Sequence, residues 1–146
     1  MNKVVAFLKS KTFGEWASVA TALLTVFGLI FYACLISVSF ETTEAPAAVI
    51  VLGIVTIALA AVAFFKDFFQ VVTIAECAAA FITFSLFVKG RVSYFAFYIT
   101  GDVMDTGLSP FFVIAAGFFV LAMVSAVIAF CLSKNKNKYI NQEEKL

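Results

Sequence analysis

One carboxyl group lies inside a long apolar segment of this 146-residue chain, and it is the strongest candidate for chemistry. Glu76 falls near the middle of the apolar run from Phe68 to Val88, where insertion scales assign a charged residue a cost of roughly 2.5 to 3.5 kcal/mol. At helical spacing Gln70, Thr73 and Thr83 lie within a half-circle of it, so one flank of the segment is polar. Because removal from water favours the neutral acid, this pattern predicts a protonatable carboxyl that binds a proton or a cation during transport.

A structural role is the alternative interpretation of Glu76. A protonated or hydrogen-bonded acid can join helices, and Thr21, Thr25 and Thr56 are candidate partners on neighbouring segments. The small multidrug-resistance transporters offer a comparison for the functional interpretation, since they are short four-span proteins with a membrane-embedded Glu. Here the acid lies on the third apolar run rather than the first, so the resemblance is to that design and does not extend to homology.

Four acidic residues outside the apolar runs form a second candidate site. If the loops that carry them met above the membrane, their carboxylates could bind Ca²⁺, which takes about six to eight oxygen ligands. A solvated loop face with mutually repelling charges is the simpler interpretation, and the one we expect. The four residues are Glu41, Glu44, Asp102 and Asp105.

The residue types argue against an enzyme, a metal centre or a cofactor site. The chain has no histidine, and its three cysteines, Cys34, Cys77 and Cys131, do not have Cys-x-x-Cys spacing. Their predicted depths in the membrane differ by roughly 10 Å or more, whereas a disulfide joins alpha carbons within about 7 Å. We therefore expect no catalytic residues, no cofactor, no disulfide and no nucleic-acid partner.

Four apolar runs must position these residues. The chain is 64% apolar and 13% charged, well outside the soluble range. Each run is long enough, at about 1.5 Å per residue, to cross a hydrocarbon layer of about 30 Å as a helix. The predicted spans are Trp16–Phe40, Ala47–Phe65, Phe68–Val88 and Phe111–Leu132.

Basic residues are divided unequally between the two sides of these spans. Eight lysines fall on the side of the chain termini, and only Lys89 and Arg91 fall on the other. By the positive-inside rule both termini are cytoplasmic. The sequence thus predicts an all-α four-helix transmembrane bundle, N-in and C-in, with a second outer loop, residues 89–109, longer than the first.

The sequence predicts three regions in order. Residues 1–15 form a basic lead at the cytoplasmic interface, residues 16–132 form a single transmembrane domain, and residues 133–146 form a disordered cytoplasmic tail. Lys66 and Asp67 alone separate spans two and three, so these spans should form a tight antiparallel hairpin.

Several short motifs together resemble the small uncharacterised four-span membrane proteins of Gram-positive bacteria. They are Phe13-Gly14-Glu15-Trp16, Asp67-Phe68-Phe69, Gly90-Arg91-Val92-Ser93-Tyr94 and Phe118-Phe119. The resemblance extends over nearly the whole chain and implies a plasma-membrane location. It implies nothing about chemistry.

Two functions from different classes fit these features. The first is a membrane interaction protein, an accessory subunit or scaffold that associates with itself or with a larger membrane protein. The alternative is a small proton- or cation-coupled transporter, working as a homo-oligomer, in which Glu76 is the coupling group. A stoichiometric partner would favour the first, and proton-coupled flux by the isolated protein would favour the second.

Overall fold

The computed structural model describes residues 3–5, 11, 13–38, 46–65, 69–90 and 110–143, and its regular structure in these ranges is helical. Four long helices make up the fold. They are α1 (Phe13–Val38), α2 (Pro46–Phe65), α3 (Phe69–Lys89) and α4 (Pro110–Glu143). All four are long and apolar enough to cross a membrane. The prediction of four membrane-spanning helices is confirmed.

Proline begins two of these helices. Pro46 is the first residue of α2 and Pro110 is the first residue of α4. In the first turn of a helix the backbone N–H has no hydrogen-bond acceptor within the helix, so proline loses no bond there, and its fixed φ is close to the helical value. Residues 39–45 and 91–109 lie outside the described residues, and with them Glu41, Glu44, Asp102, Asp105 and most of the predicted second outer loop.

The helices pack in a closed ring in chain order. Each helix contacts the next, and α4 returns to pack extensively on α1. Trp16 contacts Phe64 while Gly53 lies against Leu29, so α1 and α2 are antiparallel. The bundle is therefore up-down-up-down, with α2 and α3 forming the predicted antiparallel hairpin and with α1 and α3 diagonally opposite.

One end of the bundle interior is aromatic. Phe87 of α3 lies at its centre, with ring centroids 5.1 Å from Phe112, 5.1 Å from Phe119 and 5.6 Å from Tyr32. Each pair of aromatic rings in contact stabilises a protein by about 0.5–1.5 kcal/mol, in addition to the effect of burying their apolar surface. This cluster holds the bundle together at the end where α1 and α3 finish.

The outer surface of the bundle is apolar on every helix. Leu23, Ile54, Val71 and Leu121 are each more than half exposed, whereas most threonines of the spans and Glu76 are buried. A water-soluble protein rarely exposes so much continuous apolar surface. Lipid is the solvent that this surface fits, and the chain is an integral membrane protein.

Helix α4 continues beyond the predicted end of its span. It runs to Glu143 over 34 residues, about 51 Å at helical rise, against about 30 Å of hydrocarbon. Residues 133–143 are thus helical where the sequence predicted a disordered tail. Extending an existing helix needs no new nucleation, and Lys, Gln and Glu propagate helices well.

Candidate functional site

Glu76 lies in the interior of the bundle, in the first half of α3. It is seven residues after Phe69, the first residue of α3, or about 10 Å along the helix. Its exposed fraction is 0%. The side chain points from α3 towards the diagonally opposite helix, so it occupies the centre of the ring and not an edge.

Only one of the two carboxyl oxygens of Glu76 has a hydrogen-bond partner. The Ser18 hydroxyl of α1 donates to Oε2 over 3.0 Å, while Oε1 is buried without a partner. The Thr21 hydroxyl lies beside the same carboxyl, but its own hydrogen bond goes to the Ala17 carbonyl oxygen at 3.0 Å. The buried acid is therefore incompletely satisfied.

The two protonation states of Glu76 are satisfied to different degrees. An ionised carboxylate needs donors on both oxygens, whereas a neutral acid can give its hydrogen to the Ser18 hydroxyl oxygen, which accepts as well as donates. Oε1 lacks a donor in either state, and an unsatisfied buried polar group costs about 1–3 kcal/mol.

The other residues predicted to flank Glu76 differ in what they do. Thr73 is fully buried one turn before it on α3. Thr83 is also buried, but its hydroxyl donates to the Ala79 carbonyl oxygen of its own helix at 2.7 Å. Gln70 belongs to α3, and its side chain lies outside the described residues.

All three threonines proposed as structural partners donate to carbonyl oxygens of their own helices, Thr21 among them although it lies beside the carboxyl. Thr25 donates to the Thr21 carbonyl oxygen and Thr56 to the Leu52 carbonyl oxygen, both at 2.8 Å. This intrahelical bonding is the usual way a Thr satisfies its hydroxyl in an apolar helix. The residue that donates to Glu76 is Ser18, which was not among the predicted partners.

Helix α1 presents a continuous polar face to the interior. Glu15, Ser18, Thr21 and Thr25 follow at spacings of three, three and four residues, and all four are at most 4% exposed. This spacing aligns side chains along one face of a helix. Because Ser18 is a member of this face, Glu76 is connected to a polar line that begins at the start of α1.

Lys11 lies next to the first residue of this polar face, Glu15. The Lys11 ammonium donates to the Phe64 carbonyl oxygen near the end of α2 at 2.6 Å and to Glu15 Oε1 at 3.4 Å, and it lies 5.0 Å from the centre of the Phe64 ring. A cation is favoured at a helix C-terminus and over an aromatic face. Lys11 thus fixes the start of α1 to the end of α2.

A third polar contact joins α4 to the same region. The Ser125 hydroxyl donates to the Ala17 carbonyl oxygen of α1 at 2.7 Å. Ala17 immediately precedes Ser18, so this bond fixes the backbone that carries the donor to Glu76.

Among the described residues no group of three or more His, Cys, Asp or Glu side chains could hold a metal ion. The Cys77 thiol follows Glu76 in α3, and Cys34, Cys77 and Cys131 are all unpaired. The four loop acids, Glu41, Glu44, Asp102 and Asp105, lie outside the described residues.

Comparisons with protein-family models, with curated proteins and with solved structures find no match to this chain.

Proposed function

We propose that the protein is a small proton-coupled membrane transporter in which Glu76 binds the coupling proton. The observation that carries this proposal is the state of its carboxyl: 0% exposed, held at Oε2 by Ser18, and without a partner at Oε1. Acids inside a membrane are rare and mark proton and ion pathways more often than other residues do.

The ligands near Glu76 favour a proton over a metal cation. A bare cation needs several oxygen ligands to replace its hydration shell, whereas the described neighbours of the carboxyl are the Ser18 and Thr21 hydroxyls. A proton needs one oxygen, and Oε1 is unoccupied by any donor. Cations remain candidates for the substrate that exchanges with the proton.

The arrangement of the helices provides a means of releasing the proton. The link from Ser18 to Glu76 crosses the diagonal between α1 and α3, where backbone contact is sparse. A small separation of α1 from α3 would break this single bond and open the carboxyl to water. Alternating exposure of this kind is what coupled transport requires.

The test is flux in reconstituted liposomes that hold a pH-sensitive dye and an imposed pH gradient. We expect at least one member of a panel of monovalent, divalent and organic cations to dissipate the gradient. Glu76→Gln should reduce that flux to the level of empty liposomes, and Glu143→Gln, at the far end of α4, should leave it unchanged. Full flux in Glu76→Gln, or no flux with any cation, would overturn the proposal.

We place the protein in the plasma membrane with both termini in the cytoplasm. Eight lysines on the terminal side against Lys89 and Arg91 on the other support this orientation. In this orientation the ends of α1 and α2 joined by Lys11 face the cytoplasm. A homo-oligomer is the assembly we propose for transport, because one closed ring of four helices leaves little room for a substrate path.

An accessory or scaffold role is the second candidate. It is favoured by the complete burial of Glu76 within the helices of one chain, which suits a structural joint. Purification from native membranes in mild detergent separates the two. A larger membrane protein present in stoichiometric amount would favour the accessory role, and a pure homo-oligomer would favour the transporter.

A further inference from the structure

We infer that Glu15 is a second proton-carrying carboxyl and that Ser18 relays protons between it and Glu76. This inference rests on the proposed function, since it supplies the route by which the coupling proton enters. The route begins at the Lys11 end of the bundle, where α1 starts and α2 ends. It runs along the polar face of α1 to the centre of the ring.

The spacing of three residues on α1 aligns this route. Glu15 precedes Ser18 by three residues, which places their side chains on the same helix face about one turn apart. Ser18 in turn donates to Glu76 Oε2 at 3.0 Å. The serine hydroxyl is therefore the one described group that both contacts Glu76 and neighbours a second acid along the same face.

Burial makes this role unusual for Glu15. An acid in the first turn of a helix is normally exposed and stabilises the helix dipole, but Glu15 is only 4% exposed. Its side chain is buried in the bundle and contacts Lys11. Burial of an acid at this position is costly unless the acid is paired, and the surrounding contacts show how it is paired.

The contact of Lys11 with Glu15 is longer than its contact with α2. The distance from Nζ to Glu15 Oε1 is 3.4 Å, longer than the usual 2.7–2.9 Å or so of a charge-assisted hydrogen bond. The stronger contact of the ammonium, at 2.6 Å, is with the Phe64 carbonyl oxygen. Glu15 can therefore accept a proton while Lys11 remains attached to α2.

The transfer step balances without any further reactant. In the proposed transfer the protonated Glu15 carboxyl turns from Lys11 to Ser18, one helical turn along α1, and gives its proton to the Ser18 oxygen, while Ser18 passes its own hydrogen to Glu76 Oε2. Glu15 becomes a carboxylate beside Lys11, and Glu76 becomes a neutral acid. Four groups surround this path: the Lys11 ammonium before α1, the Thr21 hydroxyl of α1, the Phe64 carbonyl and ring of α2, and the Ser125 hydroxyl of α4.

Infrared spectroscopy of the full chain in lipid vesicles tests this route directly. The carbonyl stretch of a protonated Glu76 is identified as the band missing from Glu76→Gln, and its shift after transfer to D₂O reports the rate of proton exchange. We expect Glu15→Gln and Ser18→Ala each to slow this exchange about 100-fold or more, the lower end of what a positioned proton-transfer group contributes. Glu15→Asp should restore most of the rate.

The outcomes distinguish the inference from the proposed function. If no band is missing from Glu76→Gln, Glu76 holds no proton and the proposed function fails, and the route fails with it. If the band is present but exchanges at the wild-type rate in Glu15→Gln, the route alone is wrong. Backbone amide exchange in the same spectra shows whether a variant has loosened the bundle, and Glu143→Gln is the control for removing a remote acid.

Discussion

Ser18 and Glu76 form a hydrogen bond across the diagonal of the helix ring, 3.0 Å from Oγ to Oε2. The helices that carry them, α1 and α3, have sparse backbone contact, since each packs mainly on α2 and α4. The bond therefore links two opposite walls of the bundle through its centre. A change in the protonation of Glu76 acts directly on that link, which gives the site a means of altering helix packing.

Replacing Glu76 by an apolar residue of similar length should stabilise the protein. In Glu76→Met the orphaned Oε1 is removed, and an unsatisfied buried polar group costs about 1–3 kcal/mol. We expect a gain in the free energy of unfolding within that range, measured by SDS titration in mixed micelles, together with loss of flux. Destabilisation by Glu76→Met would show that the carboxyl serves the fold and would support the structural interpretation.

The energy of the link between Ser18 and Glu76 can be measured by a double-mutant cycle. Ser18→Ala should destabilise the wild type but have little effect in a Glu76→Met background, where no carboxyl accepts the hydrogen bond. The expected coupling free energy is about 0.6–1.7 kcal/mol, the range of interhelical hydrogen bonds in membranes. Additive effects of the two substitutions would mean that the 3.0 Å contact contributes nothing to stability.

The sequence predicted the spans closely because length and apolar composition dominate folding in lipid. The second span is predicted at 47–65 and observed at Pro46–Phe65, and the third at 68–88 and observed at Phe69–Lys89. The helical continuation of α4 past Leu132 was missed. Its polar residues resemble a solvated tail by composition, and composition alone does not register that a preceding helix removes the cost of nucleation.

The sequence identified the acid but not its partner. Glu76 is conspicuous because a carboxyl is rare in an apolar run, whereas Ser18 is one of many small residues and its orientation depends on how α1 rotates within the ring. The pairing of Lys11 with Glu15 was also missed. Their spacing of four residues was a signal, but Lys11 precedes α1, and its contact with the Phe64 carbonyl depends on tertiary packing.

Removing Lys11 should destabilise the bundle through the acid it leaves behind. Lys11→Met loses the contacts with Glu15 and with the Phe64 carbonyl oxygen, and breaking one side of a buried ion pair costs up to about 3–5 kcal/mol. The double variant Lys11→Met/Glu15→Gln should recover much of this loss, because the neutral amide needs no counter-ion. Equal stability of the single and double variants in SDS titration would argue against a buried charge at Glu15.

The orientation of the chain can be read from reporter fusions in bacterial cells. A fluorescent protein fused after Leu146 should fluoresce, since it folds in the cytoplasm, and alkaline phosphatase at the same point should be inactive. Reducing the number of basic residues near the N-terminus provides the matched test. Replacing Lys9 and Lys11 by Gln weakens the excess of positive charge on the terminal side and should give a mixture of chains in the two opposite orientations. Active phosphatase after Leu146 in the unmodified chain would reverse the assignment of Lys11 to the cytoplasmic end.

Gly28 and Gly117 provide a matched pair for testing the packing of α1 on α4. A Cβ at Gly28 would lie 3.0 Å from the ring of Phe119, while a Cβ at Gly117 would meet no atom within 4 Å. Phe119 has little freedom to move, because it is buried against Phe87. Gly28→Ala should therefore cost about 1–3 kcal/mol of stability through overpacking, whereas Gly117→Ala should be neutral or stabilising by up to about 1 kcal/mol from helix propensity. SDS titration compares the two variants directly, and a tolerated alanine at Gly28 would mean that α1 and α4 are not in the close contact described here.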